Sequence, residues 1–361
     1  MMPGDSSKSA HYPSLDGLRG LAACMVVYGH AGYFGWVPLV GGMATIGVLL
    51  FFFLSGFLMG HHYLPDASSG RLGKIAFNYW AAFQFRRFMR VYPPFVLAPI
   101  LGYLLLMPRL PPDFREAMQS QGPSIAHALA ELAVFRGQLG IYWTIEVELF
   151  FYLLYPFIIT LCLCWRNTAA ALLLLFAALT LFKQQILLPG QWAGFTSIFV
   201  AGVLAAVVAK QNRDLLDRQL TRPNALTLAS FLVLALAVAR ISHDNPTQKF
   251  IWTLDWLFAA LFFVMFTSLL RSNGAISKVL SSRFGGALGG ASYSLYLVHI
   301  IAFQVIVAQV GRHYQGMLAA IVVLIVLTSL YHLLVERPFI RLGRKIIIGD
   351  RIGRPAPAGP G

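Results

Sequence analysis

The chain has 361 residues, of which 58% are hydrophobic and only 12% charged, and its formal net charge is +14. Soluble domains carry about a quarter charged residues, so this composition excludes the ordinary soluble classes and implies an all-α, polytopic helical membrane protein. The positive balance does not point to nucleic acid, because its distribution follows membrane topology.

Residues 1–14 are a polar tail without the apolar core and cleavage site of a signal peptide, so the first span is expected to double as the insertion signal. Ten candidate spans follow, at 18–34, 42–60, 91–107, 142–164, 169–187, 193–209, 225–241, 251–270, 286–310 and 317–335. With the N-terminus inside, 21 of the 28 lysines and arginines fall on the inner side. That bias predicts ten transmembrane helices with both termini cytoplasmic, and a basic rim that meets anionic lipid. The expected organisation is a tail (1–14), a transmembrane domain (15–340) and a basic, Pro/Gly-rich tail (341–361). Pro338 is expected to end the last span at Glu336, leaving the chain from there exposed and partly disordered. Residues 108–140 form the one sizeable outer loop. Cys24, Cys162 and Cys164 lie in apolar runs without metal-ligand spacing and read as small hydrophobes.

Ionisable residues within spans are costly and mark functional sites. The first span reads LDGLRGLAACMVVYGH over 15–30. Arg19 and His30 are eleven residues apart, which returns to nearly the same helix face about 16 Å further on. The bland alternative for His30 is a core histidine bonded to a neighbouring helix. In the second span, GVLLFFFLSGFL over 47–58, Gly47 and Gly56 allow close helix approach and Ser55 can bond across helices. His61 and His62 point to different faces, which argues against a joint metal site.

The stretch FQFRRFMRVYPP, 83–94, puts Arg87 and Arg90 on one face, with Arg86 elsewhere, before a break at Tyr92-Pro93-Pro94. Two guanidinium groups at an inner surface suit a phosphate clamp; snorkelling to lipid headgroups is the alternative. The fourth span opens at Trp143 with WTIEVELFFYLLYP. Thr144, Glu148, Tyr152 and Tyr155 share a stripe, whereas Glu146 lies about 160° from Glu148. In the ninth span Ser292, Tyr296 and His299 form a second polar stripe. Asp255, between Trp252 and Trp256, reads as interfacial, and Glu336 is expected to meet an inner-surface arginine. P-loop, GxGxxG, HExxH, CxxC and GxSxG motifs are absent from the sequence.

Taken in order, these segments resemble the acyltransferase-3 family of integral membrane acyltransferases. The resemblance rests on the Arg-x10-His pattern of 15–30, GVLLFFFLSGFL, the Arg-x-x-Arg pattern of RRFMRVYP, WTIEVELFFYLLYP, ASYSLYLVHI and the terminal ERPF. It implies transfer of an acyl group, usually acetyl, from coenzyme A to a hydroxyl of a carbohydrate-type acceptor. The family's essential histidine falls on His30 and its paired basic residue on Arg19. The donor-side arginines fall on Arg87 and Arg90, and the glutamate of the WSLxVE-like segment on Glu148. WTI replaces the usual WSL, and Leu49 stands where many members carry an acidic residue. No SGNH-type hydrolase domain is appended, so a stand-alone form is expected.

On this reading, acyl-CoA arrives from the cytoplasm with its phosphates on Arg87 and Arg90. His30 serves as general base or accepts the acyl group itself, supported by Glu148 and His299. No metal is needed. The implied location is a bacterial inner membrane. The alternative class is a transporter or flippase for a lipid-linked glycan, which would move its substrate without consuming acyl-CoA. A binding-only sensor is a third reading.

Overall fold

A computed structural model describes residues 12–63, 77–106, 143–163, 165, 167–181, 192–211, 218, 220–244 and 254–349. The expected outer loop 108–140 lies outside the described residues, as do residues 1–11 and 350–361. The described elements are helices throughout: α1 (Pro13–Tyr33), α2 (Met43–Tyr63), α3 (Phe77–Leu106), α4 (Trp143–Leu163), α5 (Thr168–Leu181), α6 (Trp192–Gln211), α7 (Pro223–Asp244) and α8 (Asp255–Leu269). Two short helices, α9 (Ala275–Leu280) and α10 (Arg283–Gly290), precede α11 (Ser292–Val310) and α12 (Tyr314–Tyr331). A π turn (His332–Glu336) then leads into α13 (Arg337–Gly349). The protein is an all-α polytopic membrane protein.

Each predicted span overlaps a described helix. Among the described residues, five runs are long and apolar enough to cross a bilayer: Met43–His62, Trp143–Thr160, Pro223–Arg240, Ser292–Val310 and Tyr314–Lys345. Helices α5 and α8 and the apolar part of α6 are shorter. Helices α1 and α3 have the length but carry Asp16, Arg19, Arg86, Arg87 and Arg90, so the two most polar long helices hold the sequence's strongest functional motifs. The outward faces of α5, α7 and α12 are apolar, with Leu174, Leu236 and Ile325 well exposed. Continuous apolar exposure of this kind suits acyl chains, and a soluble protein avoids it.

The helices form two compact units. The first contains α1, α2 and α5–α10. In a bilayer, helices associate by close packing of small residues rather than by expulsion of water, and the α2–α6 pair follows that rule reciprocally. A Cβ on Gly56 would strike the Phe199 carbonyl, and a Cβ on Gly202 would strike the Phe53 carbonyl. Around this contact Phe52 stacks on Phe199 with ring centroids 4.7 Å apart, and Phe53 lies 4.7 Å from Phe266 of α8. Helix α1 begins with Pro13, whose fixed φ suits the first helical position. Polar side chains inside this unit are paired: Thr227 donates to Ser268 at 3.1 Å and Ser272 to Asn224 at 2.9 Å.

The second unit contains α3, α4 and α11–α13. Helix α3 runs 30 residues, with Pro93, Pro94 and Pro99 inside it. The predicted break at Tyr92-Pro93-Pro94 is therefore corrected: the helix continues. Each proline removes a main-chain donor, and two carbonyls in the same stretch accept from neighbouring helices. Tyr293 of α11 donates to the Val91 carbonyl at 2.7 Å, and Tyr331 of α12 donates to the Pro94 carbonyl.

A second helix end is also corrected. Glu336 does not close the last helix, because the chain continues through the π turn into α13. The Arg337 N–H bonds back to the His332 carbonyl, five residues earlier. This wider turn changes the bonding register just before Pro338, whose ring a regular ladder would not accept. Glu336 is buried, not exposed.

Candidate active site

In the second unit, α3 brings Arg87 and Arg90 to the polar stripe of α4. The Tyr152 hydroxyl donates to Glu148 one turn earlier. The Arg87 guanidinium lies over the Tyr152 ring, with Cζ 5.2 Å from its centroid, and 5.8 Å from the centroid of Phe83. Gln84 Nε2 donates to the Tyr152 carbonyl at 2.7 Å, tying the two helices together one turn from Arg87. The charges of Arg87, Arg90 and Glu148 all act on Tyr152. Spacing on two separate helices thus brings the Arg87 cation, a carboxylate and a phenol together, with the charge of Arg90 acting on the phenol through space. At the start of α4, half-buried Trp143 precedes Thr144, whose hydroxyl is 2.5 Å from that of Tyr296 on α11.

His299, fully buried, directs Nδ1 at the Tyr296 carbonyl at 2.6 Å. That bond makes Nδ1 the N–H of the neutral ring and leaves Nε2 as the acceptor nitrogen. Phe303 meets the His299 ring edge-on at 6.0 Å, and Phe34 and Trp36 pack against Phe303 at 5.4 and 5.1 Å.

Glu336 sits at the end of the π turn and is 1% exposed. Ser294 donates to its Oε2 at 2.6 Å, and His332 Nδ1 lies 2.7 Å from the same oxygen. Arg337 Nε reaches His332 Nε2 at 3.0 Å. The expected arginine partner is therefore replaced at contact range by serine and histidine, while Arg90 acts on Glu336 through space. The π turn explains this: it projects His332 and Glu336 toward α11, whereas Arg337 points outward and is exposed.

Arg19, His30 and Ser55 belong to the first unit, as does Ser292, its last residue. Helix α1 is unbroken from Arg19 to His30, so the same-face placement holds, and both are half-buried. The His30 ring bonds the Val26 carbonyl one turn earlier, committing one ring nitrogen as donor and leaving the other as the basic nitrogen of the neutral ring. The Tyr33 ring lies 6.2 Å away. Ser55 precedes Gly56 at the α2–α6 contact. Ser292 is the first residue of α11, and its hydroxyl donates to the Gly289 carbonyl at 2.8 Å.

Asp255, the first residue of α8, is 1% exposed, with Ser197 donating to it at 3.2 Å. His61 and His62 take separate surroundings: His61 stacks on Phe57, and His62 Nδ1 meets the Leu58 carbonyl at 2.8 Å. Tyr293, Ser294, Tyr331 and His332 were not singled out from sequence. The His332–Glu336 pair had a signal in its four-residue spacing; Tyr293 and Tyr331 had none, because their partners are more than two hundred positions away.

The acyltransferase-3 family, described as an acyltransferase domain, matches residues 12–333. Nodulation protein 10 of Rhizobium leguminosarum bv. viciae is 25% identical over 96% of this chain and 98% of its own length. Peptidoglycan O-acetyltransferase OatA of Listeria monocytogenes is 25% identical over 80% of this chain, which spans about half (49%) of that relative. Protein 2 in picA locus of Rhizobium radiobacter is 40% identical over a shorter stretch, 23% of this chain and 40% of its own. No solved structure matches the chain. The family match covers most of the helical region, including both histidine- and arginine-bearing helices and the apolar helices around them: the chain belongs to the acyltransferase-3 family and is an integral membrane acyltransferase.

Proposed function

We propose that the protein is an O-acyltransferase of a bacterial cytoplasmic membrane, moving an acyl group, acetyl in the simplest case, from acyl-CoA to a hydroxyl of a carbohydrate-type acceptor. The observation that carries this reading is the seating of Arg87 and Arg90 beside Glu148 and Tyr152 in the second unit. Paired guanidinium groups suit the phosphates of coenzyme A. The name of the relative OatA supports an O-linked acetyl group and a glycan acceptor.

The chemistry assigned to this chain is a thioester–ester exchange. The basic nitrogen of His30 takes the proton of the acceptor hydroxyl as its oxygen attacks the thioester carbonyl. The resulting tetrahedral centre collapses, the C–S bond breaks, and the CoA sulfur leaves with the proton returned by the imidazolium. The products are an ester and free CoA. Arg19, on the same face of α1, supplies further positive charge on the donor side. His299 is assigned to positioning the acceptor.

The test uses full-length protein in lipid nanodiscs with radiolabelled acetyl-CoA, with and without glycan acceptors. Wild type should release CoA thiol and label the acceptor, and His30→Ala should lower turnover by about a hundredfold or more. Label that stays on wild-type protein and is absent from His30→Ala would assign a two-step route through an acyl-histidine. Glycan moved across the bilayer without acetyl-CoA consumption would replace this reading with a transporter.

A further inference from the structure

In the second unit, Glu148 is engaged by Tyr152, and the ring of Tyr152 carries Arg87. The Tyr152 hydroxyl donates to Glu148 Oε1, and the side chain is 3% exposed. The guanidinium carbon of Arg87 is 5.2 Å from the Tyr152 centroid and 5.8 Å from that of Phe83, itself fully buried. The Gln84 bond to the Tyr152 carbonyl holds the main chain of α4 beside the Arg87 turn of α3.

A guanidinium within cation–π range of two aromatic rings is held in place by them, and its planar donor fork is of the kind that suits a phosphate. A phenol that donates its proton to a carboxylate gains electron density in the ring, which strengthens the hold on the cation. Glu148 thus acts on Arg87 through Tyr152. We propose that Tyr152, anchored by Glu148, is a positioning residue that presents Arg87 to the phosphates of the acyl donor, and that Glu148 serves donor binding rather than proton transfer. This inference rests on the donor assignment made under Proposed function.

Substitutions at Tyr152 separate the role of its ring from that of its hydroxyl. Tyr152→Phe keeps the ring and loses the bond to Glu148, whereas Tyr152→Leu loses both. Glu148→Gln keeps an acceptor for the phenol but removes its negative charge.

The experiment measures acetyl-CoA binding and steady-state kinetics on full-length protein in nanodiscs. Tyr152→Leu should raise Kd and donor KM about tenfold, with kcat within about threefold of wild type. Tyr152→Phe should recover most of the affinity, leaving a rise of about two- to threefold. Glu148→Gln should raise donor KM to a similar small extent and add little in the Tyr152→Leu background, since both act on one contact. A purely structural role for Tyr152 would instead lower the active fraction and melting temperature while leaving the KM of the surviving enzyme unchanged, and that result overturns the inference. So does a Glu148→Gln variant whose kcat falls a hundredfold with donor Kd intact. Wild type that binds acetyl-CoA no better than Arg87→Ala overturns the donor assignment itself and this inference with it. Normal wild-type binding that Tyr152→Leu leaves untouched overturns the inference alone.

Discussion

At the scale of single residues, several buried polar groups have specific partners, and removing one partner strands the other. Glu336 accepts from Ser294 and pairs with His332 in a setting almost closed to solvent. Glu336→Ala leaves a buried hydroxyl and an imidazole without their acceptor, which costs about 1–3 kcal/mol. Glu336→Gln retains an amide oxygen for one of the two and should cost less. Thermal unfolding in detergent micelles should show a melting temperature lowest for Ala, intermediate for Gln and highest for wild type; equal values would deny the network a role in stability. Much of the residue scale was legible in sequence where partners share a helix. Glu148 and Tyr152 are one turn apart, and Arg19 and His30 lie on one face of a continuous helix. Partners from other helices were not legible. The contact of Asp255 with Ser197, for example, joins residues 58 positions apart in the chain.

At the scale of elements, apolar length located the helices well, and their ends less well. Length and hydropathy register what lipid tolerates, whereas a proline's effect depends on what packs around its helix. In α3, two tyrosine hydroxyls support the proline-bearing stretch; after α12, the π turn shifts register before Pro338. The α2–α6 contact makes a sharper claim. Gly56 and Gly202 each face a main-chain carbonyl on the other helix, so neither can gain a side chain unless the helices separate. Gly56→Ala should destabilise the protein by about 1–3 kcal/mol, and Gly56→Leu should abolish folded yield. Alanine at exposed Gly290, where an added Cβ meets nothing, serves as the control and should leave the melting temperature unchanged. A Gly56→Ala protein as stable as wild type would contradict the close contact.

At the scale of the whole molecule, composition was enough to identify a helical membrane protein, and the ordered set of short motifs was enough to identify the family. Neither carried acceptor identity, because specificity lies in surfaces assembled from distant segments. The asymmetry of lysine and arginine predicts that both chain ends face the cytoplasm. Reporter fusions at the two ends should give cytoplasmic fluorescence and no periplasmic phosphatase activity; phosphatase activity at one end would require an odd number of spans.

In the proposed reaction acyl-CoA is bound through Arg87 and Arg90 and consumed through His30. Equilibrium binding of labelled acetyl-CoA to full-length protein in nanodiscs tests it most directly. Losing both guanidinium groups removes charge-assisted contacts worth about 1.5–3 kcal/mol each, so Arg87→Ala/Arg90→Ala should weaken binding by about a hundredfold or more. His30→Ala should still bind donor while failing to turn it over. Unchanged binding by the double arginine variant, or equal loss of binding in both variants, would contradict the account.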